Sequence, residues 1–249
     1  MNGQREFTYI IQKGDNLYAL SQKFETTVQS ILNHNPFVNP YDLQTGTEIN
    51  VYAGKNYAAK AQHYETPCRG CEKETALSEN MRLAWAQHVY WTRMLLLSIA
   101  ERLDDQSEVT DRLLRNPKDI ADIFAGYYTK DAAAAISKLL TEHLITGAEI
   151  ITALRDGKAE TAKALDEKWY KNADEMSAAF SGINPYYNRD ELQKMLYKHL
   201  DLTKEEVAAR LGKAYKKDIE AFDRVEKEAM SMSDYFTEGI IKHLPQMFE

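Results

Sequence analysis

The sequence predicts a two-part chain. A small α+β module of β-α-α-β order spans residues 7–52, and an all-α helical bundle of three related helical hairpins spans residues 77–249. Residues 53–76 join them as a linker. Three observations predict this division. Two short β-rich runs, Thr8–Gln12 and Glu48–Tyr52, bracket two apolar-faced helical patterns. From Leu77 onward Gly and Pro thin out, and Ala, Leu, Glu, Lys and Met dominate. A self-similarity with a period near 56 residues then runs through the second part.

In the module, Leu17, Leu20 and Phe24 recur at helical spacing, as do Val28, Ile31 and Leu32, so each helix has one apolar face. Gly14-Asp15-Asn16 reads as a turn that hands over to a helix start, with Asp15 or Asn16 as its cap. Thr26 or Thr27 can cap the second helix, and Pro36 ends it. Two helices over one sheet face is the compact solution.

Tyr9-Ile10-Ile11, Gly14-Asp15-Asn16-Leu17, Ile31-Leu32-Asn33-His34-Asn35-Pro36 and the closing run Leu43–Ile49 stand at fixed spacings. On these residues the segment resembles a LysM domain over nearly its full length. The resemblance implies binding of N-acetylglucosamine-containing glycans of the peptidoglycan or chitin type. It places the ligand between two loops, here Gly14, Asp15, Asn16, Leu17 and Tyr18 on one side and Asn35, Pro36, Phe37 and Val38, in the loop 35–41, on the other. Loop backbone groups suit N-acetyl groups, and Leu17, Phe37 and Val38 offer apolar contact for the acetyl methyl and sugar face. Asn16 stands where the family has Thr or Ser, and Phe37-Val38 makes the second loop more apolar than the family pattern.

The 249 residues leave room for a second domain of about 170 residues, large enough for a core of its own. With 31 Lys+Arg against 38 Asp+Glu the net charge is −7, and no basic cluster interleaves with aromatics. Nucleic acid is therefore not an expected partner. The apolar run 94–100 is too short to cross a bilayer, so no membrane insertion is expected. Residues 1–6 lack the apolar stretch of a secretory signal, which predicts synthesis in the cytoplasm and then association with a cell wall or spore envelope. In the linker, Cys68 and Cys71 form a C-x-x-C pair with only His63 nearby. A closed zinc site needs four ligands, and a thioredoxin-like role needs a preceding strand. A local disulfide or two idle thiols is the leading reading, with a zinc site shared between two chains as the alternative.

The repeat is carried by two landmarks. Leu140-Thr141-Glu142-His143-Leu144 recurs as Leu196-Tyr197-Lys198-His199-Leu200, an offset of 56, and Trp85-Ala86-Gln87-His88-Val89 fits the same frame. Phe124, Phe180 and Phe236, each followed by a glycine (Gly126, Gly182, Gly239), form the second. Ser78, Asp131, Asn188 and Asn116-Pro117 read as helix starts, and Thr203-Lys204-Glu205-Glu206 reads as a capping box that restarts a helix after His199. Each amphipathic helix needs partners to cover its apolar stripe.

His88, His143 and His199 occupy equivalent positions in the repeat. Duplication of one core histidine explains three, and that is the leading reading. The alternative is that three imidazoles converge and ligate a transition metal, zinc or iron, with Glu142, Glu149, Glu175 and Glu205 as nearby carboxylates. Apart from such a metal no cofactor is expected. Trp85, Trp91 and Trp169 read as core. No nucleophile elbow, phosphate loop or H-E-x-x-H motif is present, and no catalytic residues are assigned.

The segments Trp91–Met94, Arg112–Pro117 and Trp169–Glu175 give the second part a resemblance to a helical family of unknown function from spore-forming Gram-positive bacteria. The resulting expectation is a non-catalytic envelope protein. Its module would bind an N-acetylglucosamine polymer, while the bundle serves as scaffold, protein-partner surface or homo-oligomer contact. The rival is a metal-dependent enzyme in the bundle, carried to the wall by the module.

Overall fold

In a computed structural model, residues 5–39, 43–54 and 69–249 are described. The chain forms two compact units that divide between Cys68 and Arg69. In the first, β1 (Arg5–Ile10) and β2 (Glu48–Ala53) pair antiparallel, with Phe7 opposite Val51 and Tyr9 opposite Ile49. Between them lie α1 (Leu17–Lys23) and α2 (Val28–His34). β1 ends before Gln12 because the Gln12 N–H donates to the Asp15 carboxylate at 2.8 Å, which draws it into the turn. Gly14 sits in that turn at φ 91°, a left-handed conformation that glycine adopts without strain. Asn16 caps α1 by accepting from the Ala19 N–H, and Thr27 caps α2 by accepting from the Ser30 N–H.

The core of this unit is Ile11, Leu17, Leu20, Phe24, Ile31, Ile49, Val51 and Ala53. The Phe24 ring meets Phe7 and Tyr9 edge-on at 5.2 and 5.0 Å. Asn35, fully buried, ties the end of α2 to the sheet. Its amide nitrogen donates to the Ile31 and Asn50 carbonyls, and its oxygen accepts from the Asn50 N–H, all at 2.7 Å.

The second unit is helical: α3 (Arg69–Glu101), α4 (Gln106–Leu113), α5 (Asn116–Ala125), α6 (Lys130–Arg155), α7 (Ala159–Ile183), α8 (Arg189–Leu211) and α9 (Tyr215–His243), closed by a 3-10 turn at Pro245–Met247. α6 packs chiefly on α7, α8 on α9, and α9 also along α3. None of the helices is long and apolar enough to cross a membrane.

Several boundaries differ from expectation. Residues 69–76, expected in the linker, are the first two turns of α3, which places Ser78 inside a helix rather than at its start. Cys71 in the first of these turns is disulfide-bonded, so its sulfur is not an idle thiol or a thiolate ligand. The chain's other cysteine, Cys68, lies outside the described residues, as does His63. Thr129, not Asp131, caps α6, because its hydroxyl accepts from the Ala132 N–H. α8 does not break after His199. The Thr203 hydroxyl donates back to the His199 carbonyl, a local bond that a helix interior accommodates. Asn188 caps α8 as expected.

The three landmark phenylalanines meet. Phe124, Phe180 and Phe236 are fully buried, with ring centroids 5.2, 5.6 and 4.5 Å apart in the three pairings. Tyr187 joins them edge-on and donates its hydroxyl to the Phe236 carbonyl at 2.7 Å. Gly239 allows this approach, since a Cβ at that position would overlap the Tyr187 ring.

Candidate functional site

Two places concentrate functional side chains, one in each unit. In the module, a hollow of about 160 Å³ is lined by Ile11, Phe37, Val38, Asn39, Leu43 and neighbours Gln44 and Thr47. Phe37 is two-thirds exposed at its rim, and Val38 packs partly onto the core. Pro36 is exposed, and Asn35 is committed to the sheet through its three hydrogen bonds. The loop residues 40–42 lie outside the described residues.

The first loop contributes nothing to the described lining of this hollow. Leu17 turns into the core. The Asp15 carboxylate accepts from the Tyr9 hydroxyl and the Gln12 N–H, and the Asn16 oxygen caps α1. Gly14 and Tyr18 are exposed, Tyr18 strongly so. Asp15 and Asn16 therefore hold the loop's shape, whereas Tyr18 and Phe37 are the side chains offered outward.

In the helical unit, α3, α6 and α8 bring His88, His143 and His199 together. One nitrogen from each lies within 4.8 Å of the others, and all three residues are at least 95% buried. Ring centroids are 5.7 to 6.1 Å apart. His143 stacks on Trp169, whose indole N–H donates to the His143 carbonyl. A cavity of about 30 Å³ touches all three imidazoles and is walled by Thr92, Gly147, Trp169 and Thr203 among others. That is room for about one water-sized ligand. Thr92, Gly147 and Thr203 follow their histidines by four residues each, so the repeat shapes this wall too.

The side chains around the rings were less visible in sequence. Asn116, expected as a cap, instead sends its side chain across to α3. Its amide nitrogen donates to the Ala84 carbonyl at 2.8 Å, and its oxygen stands 3.0 Å from His88 Nδ1. Because the amide nitrogen already donates, the oxygen must accept, so Nδ1 carries the proton and Nε2 the lone pair. Asn172, 56 residues on, repeats the arrangement: it donates to the Leu139 carbonyl and lies against His143. The third equivalent is Glu228, which pairs with Lys198 at 2.5 Å.

Burial holds all three imidazoles neutral at neutral pH. The His88 pKa falls to about 4, with the Asn116 hydrogen bond opposing, and that of His199 to about 3, aided by repulsion from His88. His143 lies well below its ordinary value through burial and repulsion from the other two rings. None of the four glutamates expected nearby joins the cluster among the described residues. Glu142 and Glu175 face solvent beside Lys138 and Lys171, Glu205 pairs with Arg224, and Glu149 is half-buried away from the rings.

A second buried network went unread in the sequence. Arg93 bridges Glu206 at 2.5 Å and Asp218 at 2.7 Å, while Arg210 reaches Asp218 and Glu101. Burial, and then repulsion from Asp218, raise the Glu206 pKa to about 7 against the pull of Arg93.

A two-stranded sheet under two short helices, with an apolar-edged hollow beside a loop, defines a small ligand-binding module. Residues 9–51 match the LysM domain, which supports the resemblance read from the turn and loop residues. LysM domains bind N-acetylglucosamine-containing glycans in general. The match does not extend into the helical unit. No curated protein and no solved structure matches this chain.

Proposed function

We propose that this chain binds an N-acetylglucosamine polymer, of the peptidoglycan or chitin type, through its N-terminal module in a cell-wall or spore-envelope setting. The observation that carries the reading is the LysM match over residues 9–51, joined to a hollow edged by Phe37 and Val38. The exposed Phe37 ring suits a sugar face, and Tyr18, exposed on the other loop, is its expected counterpart. Gly14, Asp15, Asn16, Leu17, Asn35 and Pro36 set the shape of the two loops.

The helical unit serves as a scaffold or partner-binding surface. We read it as three related hairpins, α3 with α4 and α5, α6 with α7, and α8 with α9. The offset of 56 residues supports this reading, as does the meeting of equivalent histidines and equivalent phenylalanines.

Sedimentation with insoluble peptidoglycan and with chitin tests the glycan assignment. Full-length protein is expected in the pellet with at least one of them. Protein that stays in the supernatant with both, while a known binder sediments, removes the proposal.

A further inference from the structure

Buried imidazoles rarely gather without a shared task, and here three neutral ones point their nitrogens at one another. An ion at the centre of a triangle with 4.8 Å edges would lie no more than about 2.8 Å from each nitrogen. Zinc–imidazole bonds of about 2.0–2.1 Å then require each ring to move by about 0.7 Å, within the reach of small side-chain rotations. The surroundings are those of metal-binding rather than merely packed histidines. A ligating imidazole almost always donates its other N–H to a fixed acceptor, and Asn116 supplies that acceptor to His88. Asn172 stands ready to do the same for His143. The His143 and His199 Nδ1 atoms and the Asn172 Oδ1 are buried without a well-formed hydrogen bond, a costly state for a purely structural cluster.

We propose that His88, His143 and His199 bind one divalent ion of the zinc class, with a fourth position open to water or a small anion from the adjoining cavity. No carboxylate joins the cluster among the described residues, so three neutral ligands leave the ion's double charge uncompensated. That charge favours hydroxide or a small anion as fourth ligand. An apolar groove of about 500 Å³ shares Leu95, Leu113, Leu144 and Ala148 with the small cavity and gives a ligand its approach. The inference is independent of the glycan assignment, since it concerns the other unit.

Full-length protein stripped with a chelator is titrated with Co²⁺ and its visible spectrum recorded. The expected result is one equivalent bound, with the intense visible bands of low-coordinate Co²⁺, displaced by Zn²⁺ and shifted by azide. Cys71→Ser leaves the bands in place. His143→Ala abolishes them, and Asn116→Ala weakens the affinity about 10–100-fold while keeping their shape. Absence of these bands in the wild-type protein at about 1 mM Co²⁺ overturns the site, whether or not His143→Ala folds. Bands that survive His143→Ala overturn it as well, and bands indifferent to azide overturn the open position.

Discussion

Replacing Asn35 with leucine tests how the module holds its candidate binding loop. Leucine has a similar size but removes three hydrogen bonds of 2.7 Å, one to Ile31 within α2 and two to the outer edge of β2 at Asn50. Each such bond contributes about 1 kcal/mol net, so the loss comes to about 3 kcal/mol. A domain this small has only a few kcal/mol in hand. At about 1.4 kcal/mol per tenfold, the module should open roughly a hundredfold more often. Hydrogen exchange of the full-length protein, read by mass spectrometry, reports this directly. Amides of α2 and β2 should lose protection by that factor, while α3 to α9 stay unchanged because they belong to a separate unit. Retention on insoluble glycan should fall in parallel. A loss of protection below about threefold would refute the view that Asn35 welds the loop to the sheet.

Phe37→Ser should weaken glycan retention about tenfold with little change in module stability, because the ring is mostly exposed; a binding isotherm that matches wild type contradicts its role. Gly239→Ala should cost about 3 kcal/mol, from overpacking against Tyr187 and loss of its bond to Phe236. Denaturation followed by tryptophan fluorescence measures it, and Tyr187→Ala in the same background should absorb most of the effect; simple additivity of the two changes argues against the clash. Glu206 gives a pH dependence. Its pKa is raised from 4.5 to about 7, so its contribution to stability is full below about pH 4.5 and is lost as pH rises through about 7. Glu206→Gln, which leaves Arg93 its bond to Asp218, should remove up to about 3 kcal/mol of that slope. The difference between the two proteins is the quantity to measure, because the buried imidazoles work in the opposite sense and destabilise the fold as pH falls from 6.5 toward 4. Parallel pH profiles for the two proteins would exclude the assignment.

The module was legible because its signals are local: turn glycines, capping side chains and two apolar stripes each act within a few residues. The helical unit was legible through repetition, since equivalent residues on equivalent helices come together wherever the helices pack alike. His88, His143 and His199 did so, as did the three phenylalanines. Side-chain partners across helices left no such trace. Asn116 beside Pro117 looks like a cap in sequence, yet its partners are 28 and 32 residues away. An asparagine at the same offset after His143 was the available signal, and a duplicate search centred on the histidines would have found it. The Arg93–Glu206–Asp218 network has no repeat and no motif, so only tertiary structure reveals it. Thr203 misled because a capping box and an interior hydroxyl bonded to its own helix share one local sequence.

The third copy of the asparagine position is a glutamate engaged with Lys198, and this breaks the symmetry of the imidazole cluster. One ring is anchored in a single tautomer by Asn116 and a second has Asn172 beside it, whereas His199 has no such anchor. His199 can therefore turn and exchange its tautomer while its two companions stay put. The cluster behaves as a rigid pair with one movable arm, and that arm, at Thr203 and α8, is where the unit can adjust its grip.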